Sequence, residues 1–133
     1  MAQQAAVQLD DFAQHLFETV DALDIEALSG LITDDCEFVD EISRGWMRGR
    51  APIEGYFAQV KTMISNPRTK VRDVSTRDFG DTAVVTFVIE QTYILGGKEE
   101  RVTAPTSLTL RRTGSAWRIA VLHSVPLSEA SEG

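Results

Sequence analysis

The chain has 133 residues, enough for one domain, and its 43% hydrophobic and 25% charged residues are ordinary for a globular protein. Its net charge of -7 argues against a nucleic-acid partner, because phosphate binding needs a basic surface. The single cysteine, Cys36, excludes an internal disulfide. The sequence shows neither a secretory signal pattern nor an apolar run of the ~20 residues that span a bilayer, so we expect a cytoplasmic protein.

Three helices are predicted in the first half of the chain. Apolar residues recur at helical spacing between Ala5 and residue 23, which predicts one long amphipathic helix. Asp24 is a candidate N-cap for a short second helix, and the Thr-Asp-Asp turn at 33–35 should end it. Pro52 suits the first turn of a third helix, which should stop at Asn66 and Pro67.

The remaining pattern has a period of two and predicts strands. A short strand is expected at Cys36–Asp40, followed by a loop with a strand fragment at Trp46–Met47. Longer strands follow at Thr69–Asp78, Thr82–Leu95, Lys98–Arg112 and Ala116–Pro126. The links between the long strands are short and rich in glycine, so successive strands should be antiparallel neighbours. The helices should cover one face of this sheet.

Alternation along the strands assigns side chains to the helix-covered face. In the last strand this face is expected to carry Trp117, Ile119, Val121, His123 and Val125. Three polar residues interrupt the otherwise apolar inner faces of the sheet, and they are Gln91, Thr106 and His123. Buried polar groups need partners, so these three residues mark either a site or internal hydrogen bonds.

Two adjoining segments resemble the hallmark of the SnoaL-like, or NTF2-like, superfamily. The segment DIEALSGLITDDCEFVDE at 24–41 is similar to its helix, acidic turn and strand, and RGWMRGRAPIEGYF at 44–57 is similar to the start of its next helix. The similarity continues through APTSLTLRRTGSAWRIAVLH at 104–123. The resemblance implies one SnoaL-like domain over residues 1–133, an α+β cone in which three N-terminal helices pack on a curved antiparallel sheet. It also implies a homodimer formed through the outer sheet surface, where Val84 and Val88 stand among threonines.

Within that superfamily the ketosteroid isomerases and SnoaL-type polyketide cyclases offer a pattern for the site. The resemblance places Asp40 on the aspartate that serves the isomerase as general base. It places Leu16 and Thr106 where the isomerase carries its tyrosine and second aspartate, and His123 at an inward position near the base. Steroid isomerisation is therefore not implied, because the oxyanion donors are replaced. We hypothesise that Asp40 and His123 form a catalytic pair within hydrogen-bonding reach.

Several residues are expected to line the interior and contact a ligand. Leu16, Phe38, Phe57, Phe87 and Leu108 point inward from different elements and should line or close one apolar interior.

Polar and aromatic residues complete the expected ligand contacts. Trp46 is expected at the mouth of a cleft, where a tryptophan that caps the core is the alternative. Gln91 and Thr106 either orient the ligand or bond to each other. Asp40 alternatively forms a salt bridge with a neighbouring arginine. Cys36 is interpreted as a small buried hydrophobe, and the spacing of histidines and cysteine predicts no metal site.

These observations leave three functions open. The first is a cofactor-independent isomerase, cyclase, hydratase or other lyase that acts on a small apolar organic molecule, with Asp40 as base. The second is a non-catalytic ligand-binding or assembly module of the same fold. The third, ranked lower, is an epoxide hydrolase similar to limonene-epoxide hydrolase, which needs an Asp-Arg-Asp arrangement for which no second inward aspartate is apparent. No cofactor is implied in any of them.

Overall fold

The computed structural model of the protein describes residues 7–127. A 3-10 turn at Leu9–Asp11 leads into α1 (Phe12–Asp21), and the other helices are α2 (Ile25–Ser29) and α3 (Arg50–Met63). The strands are β1 (Ile32–Val39), β2 (Met47–Arg48), β3 (Ile64–Asp78), β4 (Thr82–Leu95), β5 (Lys98–Thr113) and β6 (Ala116–Ser124). Three α-helices and a six-stranded sheet confirm the predicted α+β class.

The first helices begin where capping chemistry favours them. α1 starts at Phe12 rather than near Ala5, which lies outside the described residues. Asp24 caps α2 as predicted, because its Oδ1 accepts a hydrogen bond from the backbone N–H of Ala27 at 3.1 Å. This bond satisfies one of the amide groups that a helix start leaves without an intrahelical partner.

Two segments that were predicted to end helices lie inside strands instead. The Thr-Asp-Asp segment at 33–35 belongs to β1, where Asp34 and Asp35 form ion pairs with Arg50 at 2.9 Å and Arg111 at 3.5 Å. Tertiary pairing therefore overrides the turn preference of these short polar side chains. α3 ends at Met63, and the Asn-Pro pair at 66–67 falls in a register shift of β3. A bulge suits a proline, which has no N–H to donate to the ladder.

The sheet has the strand order β2-β1-β6-β5-β4-β3. The long strands β3 to β6 are antiparallel neighbours in chain order, as predicted. β1 pairs with β6 in parallel, so the sheet is mostly rather than wholly antiparallel. This pairing brings the end of β1 beside the end of β6, with Phe38 opposite Leu122 and Val39 opposite His123.

A bulge in β6 changes which side chains face the helices. Leu110 pairs with Ile119 and Thr109 pairs with Val121, so Ala120 has no partner on β5. Side chains alternate with a period of two, and one extra residue therefore reverses every face that follows. Leu122 and Ser124 are buried, whereas His123 and Val125 are exposed. The prediction that Val121, His123 and Val125 continue the inner face is therefore wrong.

The core lies between the helices and the inner face of the sheet. In β4 the inner positions are buried as the alternation predicts, from Ala83 at 0% to Gln91 at 8% exposed. Phe12 and Ile53 bring α1 and α3 onto this face and are fully buried. Within the described residues, no helix is long and apolar enough to cross a membrane.

Candidate functional site

A cavity of about 90 Å³ lies between the helices and the inner face of the sheet. Its wall is mostly apolar, with contributions from all three helices and from strands on both sides of β5. Within the described part of the chain, Asp40 and Glu41 are the charged side chains that line it. Both belong to the segment that follows β1, so the cavity has one charged end.

Asp40 is held in place by a turn that it caps itself. Its Oδ1 accepts hydrogen bonds from the backbone N–H groups of Ile42 and Ser43 at 3.0 and 2.9 Å. The backbone N–H of Arg44 donates to the Asp40 carbonyl at 3.0 Å. This turn chemistry is typical of aspartate, whose short side chain reaches backbone groups two and three residues ahead. The alternative of a salt bridge from Asp40 to Arg44, Arg48 or Arg50 is not realised. Arg48 pairs with Glu37 and Arg50 with Asp34, and Arg44 takes part in none of the ion pairs among residues 7–127.

Tyr56 on α3 binds the same carboxylate from the other side. Its hydroxyl lies 2.7 Å from each oxygen of Asp40 and donates to the carboxylate. Burial and the charge of Asp40 raise the pKa of Tyr56 well above its usual value, so the phenol keeps its proton. Phe38 and Phe57 surround the tyrosine, with ring centroids 5.8 and 6.0 Å from it. The pair Asp40–Tyr56 is thus a charged hydrogen bond set in an aromatic wall.

Glu41 follows Asp40 in the chain and lines the same cavity. Burial, and secondly the charge of Asp40, raise the pKa of the Glu41 carboxyl to about 7. Among the described residues, none donates a side-chain hydrogen bond to Glu41 and none forms an ion pair with it. A carboxyl group with a pKa in this range is present in both its protonated and its charged form near neutral pH.

Tyr93 on β4 completes this end of the cavity. It is 5% exposed, lines the cavity, and makes none of the side-chain hydrogen bonds found among residues 7–127. Burial, and secondly the charge of Glu41, raise the pKa of Tyr93 to about 12. Its phenol consequently keeps its proton at neutral pH and can donate a hydrogen bond, and Tyr93 lines the cavity.

Two further polar groups in the wall are tied to the protein. Gln91 donates from Nε2 to the Thr69 hydroxyl at 2.9 Å, and Thr69 in turn donates to Asp21 on α1 at 2.7 Å. Ser124 bonds to Thr106 at 3.0 Å, and Thr106 donates to the carbonyl of Ala104. Gln91 and Thr106 therefore do not bond to each other, which was one of the alternatives for them.

The predicted ligand-binding residues divide into two groups. Leu16, Phe38, Phe57 and Gln91 line the cavity. Phe87, Thr106 and Leu108 are buried in the wall behind it, where they are at most 3% exposed.

Trp46 lies outside the cavity, 44% exposed, and borders a surface groove. Ile42, Tyr56 and Val60 line both the groove and the cavity, so they form the partition between the two. That Trp46 stands at the mouth of a cleft stays a prediction.

His123 does not face the cavity. The bulge at Ala120 turns it to the exposed side of the sheet, where its ring lies 5.6 Å from that of Trp46. Ser124 occupies the inward position instead, one residue later. The hypothesis of a catalytic pair with Asp40 is therefore wrong in its geometry.

Cys36 is fully buried, as interpreted from the sequence, and burial raises the pKa of its thiol to about 12. A thiol with this pKa is a poor nucleophile at neutral pH. Among residues 7–127, no group of three or more His, Cys, Asp and Glu side chains is arranged to hold a metal ion.

Comparison with known families decides what kind of protein this is. The family model described as a SnoaL-like domain matches residues 9–128. The chain belongs to the SnoaL-like family. None of the curated proteins matches this SnoaL-like chain.

Solved structures share the fold of this SnoaL-like protein at low sequence identity. An NTF2-like superfamily protein from Salmonella enterica is 19% identical with a TM-score of 0.76, covering 94% of this chain and 92% of that one. A ketosteroid isomerase-like protein from Erwinia carotovora is 18% identical with a TM-score of 0.76, over 90% and 95%. The CaMKII hub of S. rosetta is 15% identical with a TM-score of 0.78, over 96% and 100%. These likenesses show the NTF2-like cone fold.

Sequence reasoning missed four residues of the charged end. Glu41 follows Asp40 directly, and strict alternation assigns it to the opposite face. Tyr56 stands three residues after Ile53 and four before Val60, so the helical stripe already contained it. Tyr93 continues the alternation of β4 and so falls on the inner face, but nothing in the sequence distinguishes it as a donor from an ordinary core aromatic. Ser124 was hidden by the bulge.

Proposed function

We propose that this SnoaL-like protein binds a small, mainly apolar organic molecule in its cavity and catalyses a proton transfer on it without a cofactor. The observation that carries the proposal is the charged end of an otherwise apolar cavity, where Asp40 and Glu41 lie side by side. Positioned proton transfer accelerates reactions by about 10²–10⁴-fold, which suits substrates whose C–H bonds lie beside a carbonyl. Isomerisation, cyclisation and hydration or dehydration all contain such a step.

The charged end holds groups of opposite function. A carboxylate accepts the proton from the substrate, and the phenol of Tyr93 donates a hydrogen bond to the oxygen on which negative charge develops. Tyr93 has no partner among the other described side chains, so it does not lose a hydrogen bond when it serves the ligand. In the isomerases the donors are a tyrosine and an aspartate, and this chain has Leu16 and Thr106 at those positions. Tyr93 replaces these donors from β4.

The size of the cavity limits the substrate. An apolar cavity of roughly 150 Å³ holds a benzene-sized molecule. The cavity here is smaller, at about 90 Å³, so a larger ligand must extend past Ile42, Tyr56 and Val60 into the groove. We therefore propose a substrate of one small ring or a short chain, with its carbonyl at the charged end.

The test combines binding with proton exchange. Small cyclic ketones and enones are screened by thermal shift, because a ligand that binds the folded state raises Tm. For each binder, loss of the α-proton signal in D₂O is followed by NMR. We expect exchange with the wild type, and none with the double variant Asp40→Asn/Glu41→Gln. The exposed Glu99→Gln serves as the matched control. Equal exchange by the double variant and the wild type would refute the proposal.

A non-catalytic binding or assembly module is the second candidate. The hydrogen bonds from Ile42, Ser43 and Tyr56 favour it, because they give Asp40 a structural role as a turn cap. One of the similar structures is the CaMKII hub of S. rosetta, which supports this candidate at the level of the fold. In this case Asp40→Asn should lower the stability of the fold and leave ligand affinity unchanged. Neither the wild type nor any variant should exchange the α-proton of the ligand. An epoxide hydrolase ranks lower, since arginine is missing from the described cavity wall.

A further inference from the structure

The carboxylate of Asp40 is already occupied by donors from the protein. Its Oδ1 accepts from the backbone N–H groups of Ile42 and Ser43, and Tyr56 bridges both oxygens at 2.7 Å. Oδ1 is fully used, and a ligand proton that approaches Oδ2 competes there with the hydroxyl of Tyr56. Bonds to a charged acceptor are stronger than neutral ones, so losing one is costly.

The carboxyl group of Glu41 is open by comparison. It lines the same cavity, and among residues 7–127 none donates a side-chain hydrogen bond to it. β1 ends at Val39, and the turn capped by Asp40 directs residue 41 to the same cavity as residue 40. Burial and Asp40 raise the pKa of Glu41 to about 7, and a base works best when its pKa lies near the working pH.

We propose that Glu41, rather than Asp40, exchanges the proton with the ligand, and that Asp40 and Tyr56 are positioning residues. The inference rests on the proposed function and divides its two carboxyl groups between two roles. The Glu41 carboxylate removes a proton from the carbon beside a carbonyl, and the C–H electron pair moves into the enolate. The protonated Glu41 then returns the proton to a different carbon, so nothing is oxidised or reduced.

Few other groups influence the titration of Glu41. Asp40 on the same turn is the charged neighbour, and Tyr56 on α3 and Tyr93 on β4 are the titratable side chains nearby. Both phenols have raised pKa values and stay neutral in the working range. The cavity residues contributed by α1, α2 and β6 are uncharged. Removing the charge of Asp40 should therefore lower the pH at which Glu41 loses its proton.

The test uses benzisoxazole, a probe whose ring opening reports a base. Its two fused rings are larger than the cavity, so its benzene ring must extend past Ile42, Tyr56 and Val60 into the groove while the carbon next to nitrogen lies at the charged end. A base removes the proton from the ring carbon next to nitrogen, the N–O bond breaks, and the oxygen leaves with the electron pair as cyanophenolate. We measure this ring opening by absorbance as a function of pH. The wild type should show a rate that rises with pH through a midpoint near 7.

The variants separate the two carboxyl groups. Glu41→Gln should reduce the rate by about 100-fold or more, the smallest effect typical of positioned proton transfer. Asp40→Asn keeps an oxygen for the two backbone N–H groups, so it should fold, lose less of the rate than Glu41→Gln does, and shift the midpoint to lower pH. Glu99→Gln, on the exposed part of β5, should leave both rate and midpoint unchanged.

The opposite results distinguish this inference from the proposed function. If Asp40→Asn abolishes the rate and Glu41→Gln retains it, the inference is wrong and the proposed function stands. If neither variant changes the rate, or if the wild type binds benzisoxazole without opening it, both are wrong.

A measurement without any ligand completes the test. In protein labelled with ¹³C at glutamate carboxyl carbons, the Glu41 signal, assigned by its absence from Glu41→Gln, should titrate near pH 7. Titration in the ordinary range of glutamate, near 4.3, would overturn the assignment to Glu41 whatever the probe does.

Discussion

Replacing Glu41 by glutamine should stabilise the folded protein, and the gain should depend on pH. The carboxyl group of Glu41 has a pKa of about 7 in the folded state, against an ordinary value of 4.5. An unfolded chain at pH 6 has lost this proton, whereas the folded chain still holds it. Stability therefore falls as the pH rises from the unfolded pKa to the folded one, and above that value the folded state contains a buried charge.

The magnitude follows from the distance between the two pKa values. Each pH unit between them is worth about 1.4 kcal/mol, so a shift from 4.5 to about 7 has an upper limit of roughly 3 kcal/mol. Glu41 is half-buried, so water screens part of this energy. We expect a loss of roughly 2–3 kcal/mol in the wild type across this window, which glutamine avoids because it carries no charge at any pH.

Urea denaturation on both sides of the window measures this difference. Below pH 4.5, wild type and Glu41→Gln should have similar free energies of unfolding. Above about pH 7, the variant should be the more stable by roughly 2–3 kcal/mol. The exposed Glu99→Gln is the matched control and should follow the wild type. A difference between wild type and Glu41→Gln that is the same at both ends of the window would refute the reasoning.

Three further perturbations test the fold and the assembly. Phe87→Ala should lower the free energy of unfolding by roughly 3–5 kcal/mol, because Phe87 is 3% exposed; a loss below about 1 kcal/mol in chemical denaturation would contradict its burial. Asp24→Ala should cost about 1 kcal/mol by removing the cap of α2, whereas Asp24→Asn should keep it in thermal denaturation. We expect a homodimer through the outer sheet face around Val84 and Val88, and light scattering from a stable monomer at micromolar concentration would rule it out.

The parts of the fold that repeat with a regular period were predictable from sequence. β4 alternates without interruption from Ala83 to Tyr93, so its inner face and its neighbours follow from parity. Boundaries were less predictable, since Asp34 and Asp35 prefer turns in isolation and are held in a strand by arginines from α3 and β5. Pairing between distant segments leaves no local signal in the sequence.

The site was predictable where a single polar residue interrupts an apolar pattern. Asp40 stood out in this way, and it does line the cavity. Glu41 did not, because the strand ends at Val39 and the turn breaks the alternation that assigns neighbours to opposite faces. The placement of His123 failed for a related reason, since a bulge is set by the register of two strands rather than by the composition of one.

The unpaired Ala120 also has an evolutionary meaning. Because Ala120 has no partner on β5, deleting it would join Ile119 directly to Val121 and leave Leu122, His123 and Ser124 opposite their present partners and on their present faces. A lineage that loses a residue at this point therefore keeps the hydroxyl of Ser124 in the cavity wall and the imidazole of His123 outside it. The bulge is thus a place where the last strand can change length without changing the chemistry of the cavity, and an Ala120 deletion variant that keeps its fold and its ligand affinity would demonstrate this in the laboratory.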